Sequence, residues 1–200
     1  MGKHQALEIS GNLPSGLSEI LLERYREPHR RYHNVSHLAA VLAALEVLGA
    51  DSDNQAVRLA AWFHDAVYDP QRADNEEISA SLAQGLLPLF DFPSTIINEV
   101  ARLVRLTATH RVQPDDSNGA LLCDADLSVL AGDADSYSSY AAGVRAEYAF
   151  VGDADFARER AALLNALLDS EHVFHTPKGQ ELWEARARAN ISIELKLLAS

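Results

Sequence analysis

In the stretch Leu59-Ala60-Ala61-Trp62-Phe63-His64-Asp65-Ala66-Val67-Tyr68-Asp69, a histidine and an aspartate stand side by side in an otherwise apolar run. Burying an imidazole and a carboxylate is costly unless each has a partner. One metal cation serves both, so a fold that buries this run is expected to bring it further ligands. The chain offers candidates on both sides. Upstream, Tyr32-His33-Asn34-Val35-Ser36-His37 carries two histidines four residues apart, which on a helix share one face. Downstream, Leu121-Leu122-Cys123-Asp124-Ala125-Asp126-Leu127-Ser128-Val129-Leu130 carries two aspartates in an apolar setting. Neighbours on a helix point about 100° apart, so His64 and Asp65 would meet an ion only along the edge between them. Two imidazoles and two carboxylates suit a divalent transition metal (Mn, Fe, Co, Ni or Zn, with Mg an acceptable substitute) better than Ca. Four protein ligands leave an octahedral ion open to water and substrate, as catalytic sites require.

The apolar spacing is helical nearly throughout, and strand alternation is absent. It predicts helices over 17–25, with Ser15 or Ser18 as cap and Pro28 as stop, and over 38–48, closed near Gly49. Asp51-Ser52-Asp53-Asn54 reads as a cap for a helix over 55–66. Further helices are predicted from Asn75 to near Pro88, from Ser94 to about His110, and over 136–150, 155–168 and 180–198, with a loop around Pro177 and Gly179. An all-α helical bundle follows. No linker or repeat divides the chain, so 1–200 is expected to be one domain, with a core over about 20–170 and the C-terminal helix packed on it.

A net charge of −12 argues against nucleic-acid or membrane-surface binding, because both favour basic patches. A small phosphorylated substrate stays open if a metal supplies the positive charge. A lone cysteine, Cys123, fits a reducing compartment. Met1 to Glu8 has no apolar signal core, and Leu7 stands where a myristoylation signal wants Ser or Thr. A cytoplasmic protein is expected. The apolar terminal helices could bury against a second copy as a homodimer.

The ordered stretches YHNVSH, FHDAVYD, DNEEISA, LTATH, DADLSVL and VRAEY resemble the HD superfamily of metal-dependent phosphohydrolases, in particular a bacterial subgroup of predicted HD phosphohydrolases. The resemblance runs from about residue 20 to the C-terminus. It implies a single HD-type helical domain with His37, His64, Asp65 and Asp126 as metal ligands. Asp126 is preferred over Asp124 on its Asp-Leu context, and Asp124 is left to cap a helix. The segments around His33 and Asp126 are also similar to those of the cyclic nucleotide phosphodiesterases, which implies His33 as proton donor; that family's base-recognition elements find no counterpart here.

The implied reaction is hydrolysis of a phosphoester or phosphoanhydride of a small molecule such as a nucleotide, by a metal-activated water that Asp65 or Asp126 orients. Glu76 and Glu77 follow closely enough to return to the site, to hold a water or a ligand histidine. His110 and Arg145 are candidates for phosphate contact, and Asp69 for a place at the site. The competing reading is a helical metal-binding regulatory module with little catalysis. Tyr137, Tyr140 and Tyr148 are expected in the core, Arg158-Glu159-Arg160 on a solvated face, and His172 and His175 on the surface.

Overall fold

The computed structural model describes residues 13–50 and 54–199. The N-terminal residues read for targeting and the cap expected over 51–53 lie outside them. Among the described residues there are nine α-helices and no strand. No helix among them is long and apolar enough to cross a membrane.

Helix α1 spans Ser15–Tyr25. The expected serine cap is not made; Ser18 Oγ instead donates to the Ser15 carbonyl inside the helix. Helix α2 spans Val35–Leu48, capped by the Asn34 side chain on the Ser36 N–H and closed by Gly49 in the left-handed region. His33 therefore precedes α2, and the expected shared helical face with His37 does not exist. Helix α3 spans Gln55–Phe63 and stops three residues earlier than predicted, with His64 as its C-cap. The reason lies in who takes the next backbone groups. Arg30 donates to the carbonyls of Asp65 and Ala66, and the Ser79 hydroxyl accepts the Val67 N–H. Side chains, not another helical turn, satisfy this stretch.

Helix α4 (Asn75–Leu86) runs into a 3₁₀ turn over Leu87–Phe90, and α5 covers Ser94–Leu106. His110 lies beyond α5 rather than on it, with φ of 52°. The apolar segment with the two aspartates is α6, Ser117–Leu127, followed by a 3₁₀ turn over Ser128–Ala131. Then come α7 (Ala134–Glu147), α8 (Asp153–Asp169) and α9 (Pro177–Leu198). Pro177 opens α9 at its first position, where its missing N–H costs nothing, so the loop expected around it is the start of a helix.

Helices α2, α3, α5 and α6 pack together around a core holding Leu38, Leu45, Trp62, Phe63 and Leu103. Each such burial contributes about 1.5–3 kcal/mol. A second cluster, including Leu164, Phe174, Ala187 and Ile191, joins α8 and α9 to the 3₁₀ turn after α6, and Trp183 packs against both clusters.

Asp124 links the two clusters. It is fully buried, and its carboxylate accepts the N–H groups of His175 and Thr176 at 2.7 Å and the Thr176 hydroxyl at 2.6 Å. A cap was expected of Asp124, but it serves the N-terminus of α9 from across the fold rather than its own helix. A Cβ on Gly179 would come within 2.5 Å of that carboxylate, so this turn of α9 has room only for glycine. Asp124→Ala leaves these donors buried without an acceptor. It is expected to destabilise the fold by about 3 kcal/mol in urea denaturation.

Arg160 departs from the solvated face predicted for it. It is buried, donating to Glu194 at 2.8 Å and to the Tyr140 hydroxyl at 2.7 Å. Arg158 and Glu159 are exposed as expected, as are His172 and His175.

Candidate metal centre

Four side chains from three places in the chain converge where α2, the end of α3 and α6 meet. His37 Nε2 and His64 Nε2 are 3.0 Å apart. Asp65 Oδ2 lies 3.3 Å from the first and 3.1 Å from the second, and Asp126 Oδ1 lies 3.2 and 3.6 Å from them. His37, His64 and Asp126 form a group that could hold a metal ion. Asp65 faces the same two nitrogens.

The donor set fits a cation. His64 Nδ1 is 2.8 Å from the Ala61 carbonyl, which can only accept. Nδ1 therefore carries the hydrogen, and in the neutral ring Nε2 presents a lone pair to the cluster. A second imidazole nitrogen and two carboxylate oxygens crowd the same point, so acceptors outnumber donors and positive charge is required. The titration behaviour agrees. Burial pulls His37 and His64 down, yet the adjacent Asp126 and Asp65 outweigh it and both rings end above their usual range. Burial pushes Asp65 and Asp126 up, but His64 and the other neighbouring histidines hold both carboxyls well below theirs.

The backbone around the ligands is tied by residues the sequence reading passed over. Arg30, nearly fully buried, donates to the carbonyls of His33 at 3.0 Å and Asp65 at 2.6 Å, joining the approach to α2 to the turn after α3. Glu147, the last residue of α7, accepts the N–H groups of Arg31, Tyr32 and His33 on Oε1 at 2.8–2.9 Å. Its Oε2 accepts from His33 Nδ1 at 2.7 Å and from the Tyr68 hydroxyl at 3.1 Å. Burial raises the Glu147 carboxyl, but the His33 hydrogen bond and charge overcome this, and it ends lowered to about 2. Tyr68 stacks on the His33 ring at 4.1 Å. Two sequence signals pointed to these residues: Glu147 sits in the VRAEY stretch, and Arg30 stands two residues before the Tyr32–His37 segment.

His110 Nε2 is 2.9 Å from Asp126 Oδ2, the oxygen turned away from the two ligand histidines. The ring thus orients Asp126, held by a left-handed backbone that costs a non-glycine residue about 1 kcal/mol. The remaining candidates are not drawn into the cluster. Glu77 is exposed and paired with Arg105 at 2.6 Å. Asp69 is exposed and caps the turn at Gln71. Arg145 donates to the Tyr148 and Val151 carbonyls and to Asp153, closing the end of α7. Glu76 is half-buried in the first turn of α4. In that segment Asn75 and Ser79, one turn apart, hold the turn after α3: Asn75 takes the Asp69 N–H and Ser79 the Val67 N–H, each at 3.0 Å.

Neither family models, nor curated proteins, nor solved structures yield a match to this chain.

Proposed function

We propose that the protein is a metal-dependent phosphohydrolase of the HD type, acting on a small phosphorylated molecule such as a nucleotide. One observation carries the reading: a cluster of two imidazoles and two carboxylates lies beside a second, separately supported histidine. His37, His64, Asp65 and Asp126 would hold a divalent transition metal, which acidifies a water and polarises a phosphoryl oxygen when bound.

The chain's own groups supply the rest. Asp65 orients the attacking water, whose proton passes to solvent as the new P–O bond forms. His33, with Nδ1–H committed to Glu147, has Nε2 left for the substrate. With the ring held by Glu147, His33 donates an Nε2 proton to the leaving oxygen as the old P–O bond breaks. His33 regains a proton from solvent, and the net change consumes one water. His110 keeps Asp126 in place.

The test combines metal content with turnover. The purified protein is expected to hold a transition metal and to hydrolyse members of a phosphoester and nucleotide panel, and Asp65→Ala abolishes the hydrolysis. His33→Ala is expected to keep its metal and lose about 10²–10⁴-fold in kcat. Loss of metal in that variant would reverse the assignment of donor and ligand. Metal bound with no turnover on any phosphorylated compound would sink the enzyme in favour of the regulatory module.

A further inference from the structure

A cavity of about 480 Å³ opens beside the candidate metal centre, within the range of small-molecule sites. His33, His110 and Asp126 line its inner end. Beyond them the lining is apolar and aromatic, with the rings of Tyr140, Tyr148 and Phe156 and the side chains of Val129, Val144 and Leu163. Tyr140 and Tyr148 are thus only half-buried; of the three tyrosines expected in the core, Tyr137 alone is fully there.

The charges around this cavity matter as much as its walls. Among its described lining residues the only arginine or lysine is Arg160, whose guanidinium is committed to Glu194 and Tyr140. Arg145, nearby under Phe156 at 4.7 Å, is committed to Asp153 and two carbonyls. Glu159 adds a negative charge at the rim. A second or third phosphate here would lose its hydration and find no unengaged guanidinium or ammonium among the described lining residues. An apolar or aromatic group would bury its surface against rings and branched side chains.

We infer that the substrate is a monophosphate ester of an alcohol bearing an apolar or aromatic group, seated with its organic part in this cavity and its single phosphate at the His33 end, and that compounds with further phosphates are excluded. This rests on the phosphohydrolase reading for the position of the phosphate, but the cavity's preference for the organic group can be measured separately.

The first arm is binding to the metal-free protein, followed by NMR. Benzyl alcohol is expected to shift the ring resonances of Tyr148 and Phe156, and glycerol is not. Leu163 is exposed enough, at 56%, for Leu163→Glu to fold, and it should abolish the benzyl alcohol shifts. Benzylphosphonate is expected to bind the metal-loaded protein about tenfold or more tightly than methylphosphonate. The second arm is turnover: benzyl phosphate should exceed both glycerol phosphate and benzyl diphosphate by about tenfold or more in kcat/KM.

Equal turnover of the diphosphate or of glycerol phosphate overturns the inference. So does absence of benzyl alcohol binding. If no ester is turned over at all, the phosphohydrolase reading fails, and the two binding comparisons still decide whether the cavity takes an apolar group.

Discussion

Glu147→Ala is expected to destabilise the protein by about 3–5 kcal/mol, more than any single metal-ligand substitution measured without metal. The carboxylate is nearly fully buried and is the acceptor for three consecutive backbone N–H groups, an imidazole and a phenol. Alanine leaves all of them facing a void, and each buried donor left unpaired costs about 1–3 kcal/mol. The measurement is urea unfolding at neutral pH. A loss below about 1 kcal/mol would show that water or a rearranged loop replaces the carboxylate. Glu147→Gln separates charge from shape. Its carbonyl can still accept the three N–H groups, but its NH₂ only donates, so the Tyr68 hydroxyl must become an acceptor and His33 must move its hydrogen from Nδ1 to Nε2.

The same residue predicts a pH dependence. Its carboxyl titrates near 4.5 when unfolded and is lowered to about 2 in the fold. Its stabilisation is therefore complete above about pH 4.5 and is lost as pH falls toward 2, an effect of about 3 kcal/mol. Asp65 and Asp126, also lowered, steepen the loss at the acid end. The Glu147→Gln protein should show a shallower decline over the same window.

The second large effect is stabilisation by metal. Four groups that compete for too few protons gain a common partner, and the ion binds the folded state alone because the unfolded chain scatters its ligands over residues 37 to 126. At a hundredfold excess over Kd this contributes about 2.7 kcal/mol, or roughly 5–10 °C in Tm for a chain of this size. Differential scanning calorimetry with and without Mn²⁺ or Zn²⁺ measures it. His64→Ala should abolish the shift, because it removes the nitrogen whose tautomer is fixed by the Ala61 carbonyl. His33→Ala should keep it. A shift of equal size in the His64 variant would place the ion elsewhere.

The helical class and the need of His64 and Asp65 for a partner were legible in the sequence for related reasons, while the choice of His37 over His33 and Asp126 over Asp124 came from the resemblance. Periodicity reports which faces must be buried, and an imidazole next to a carboxylate in a buried run demands a partner. Helix ends were less legible. The stop of α3 at Phe63 depends on Arg30 and Ser79, distant residues whose side chains take the backbone groups a further turn would have used. Arg160 was misplaced for the same kind of reason: between Glu159 and Ala161 it looks solvated, and its burial is offset only by Glu194 and Tyr140 on other helices. Arg145 offered a plausible cation by type, yet its own helix end engages both terminal nitrogens of the guanidinium, on two carbonyls and Asp153. Glu147 was least legible of all. A glutamate at a helix C-terminus runs against the helix dipole, and its value appears only when residues 31–33 are folded against it.

That contact also sets an order of assembly. Glu147 meets the His33 segment across 114 residues, whereas the metal ligands are all present once Asp126 has been made. Contacts between such distant parts of a chain form late, because the intervening loop must first be ordered. During synthesis His37, His64, Asp65 and Asp126 are therefore all made before Glu147, the residue that holds His33. A chain interrupted between the two points would carry the four clustered side chains but lack the carboxylate that fixes His33 beside them.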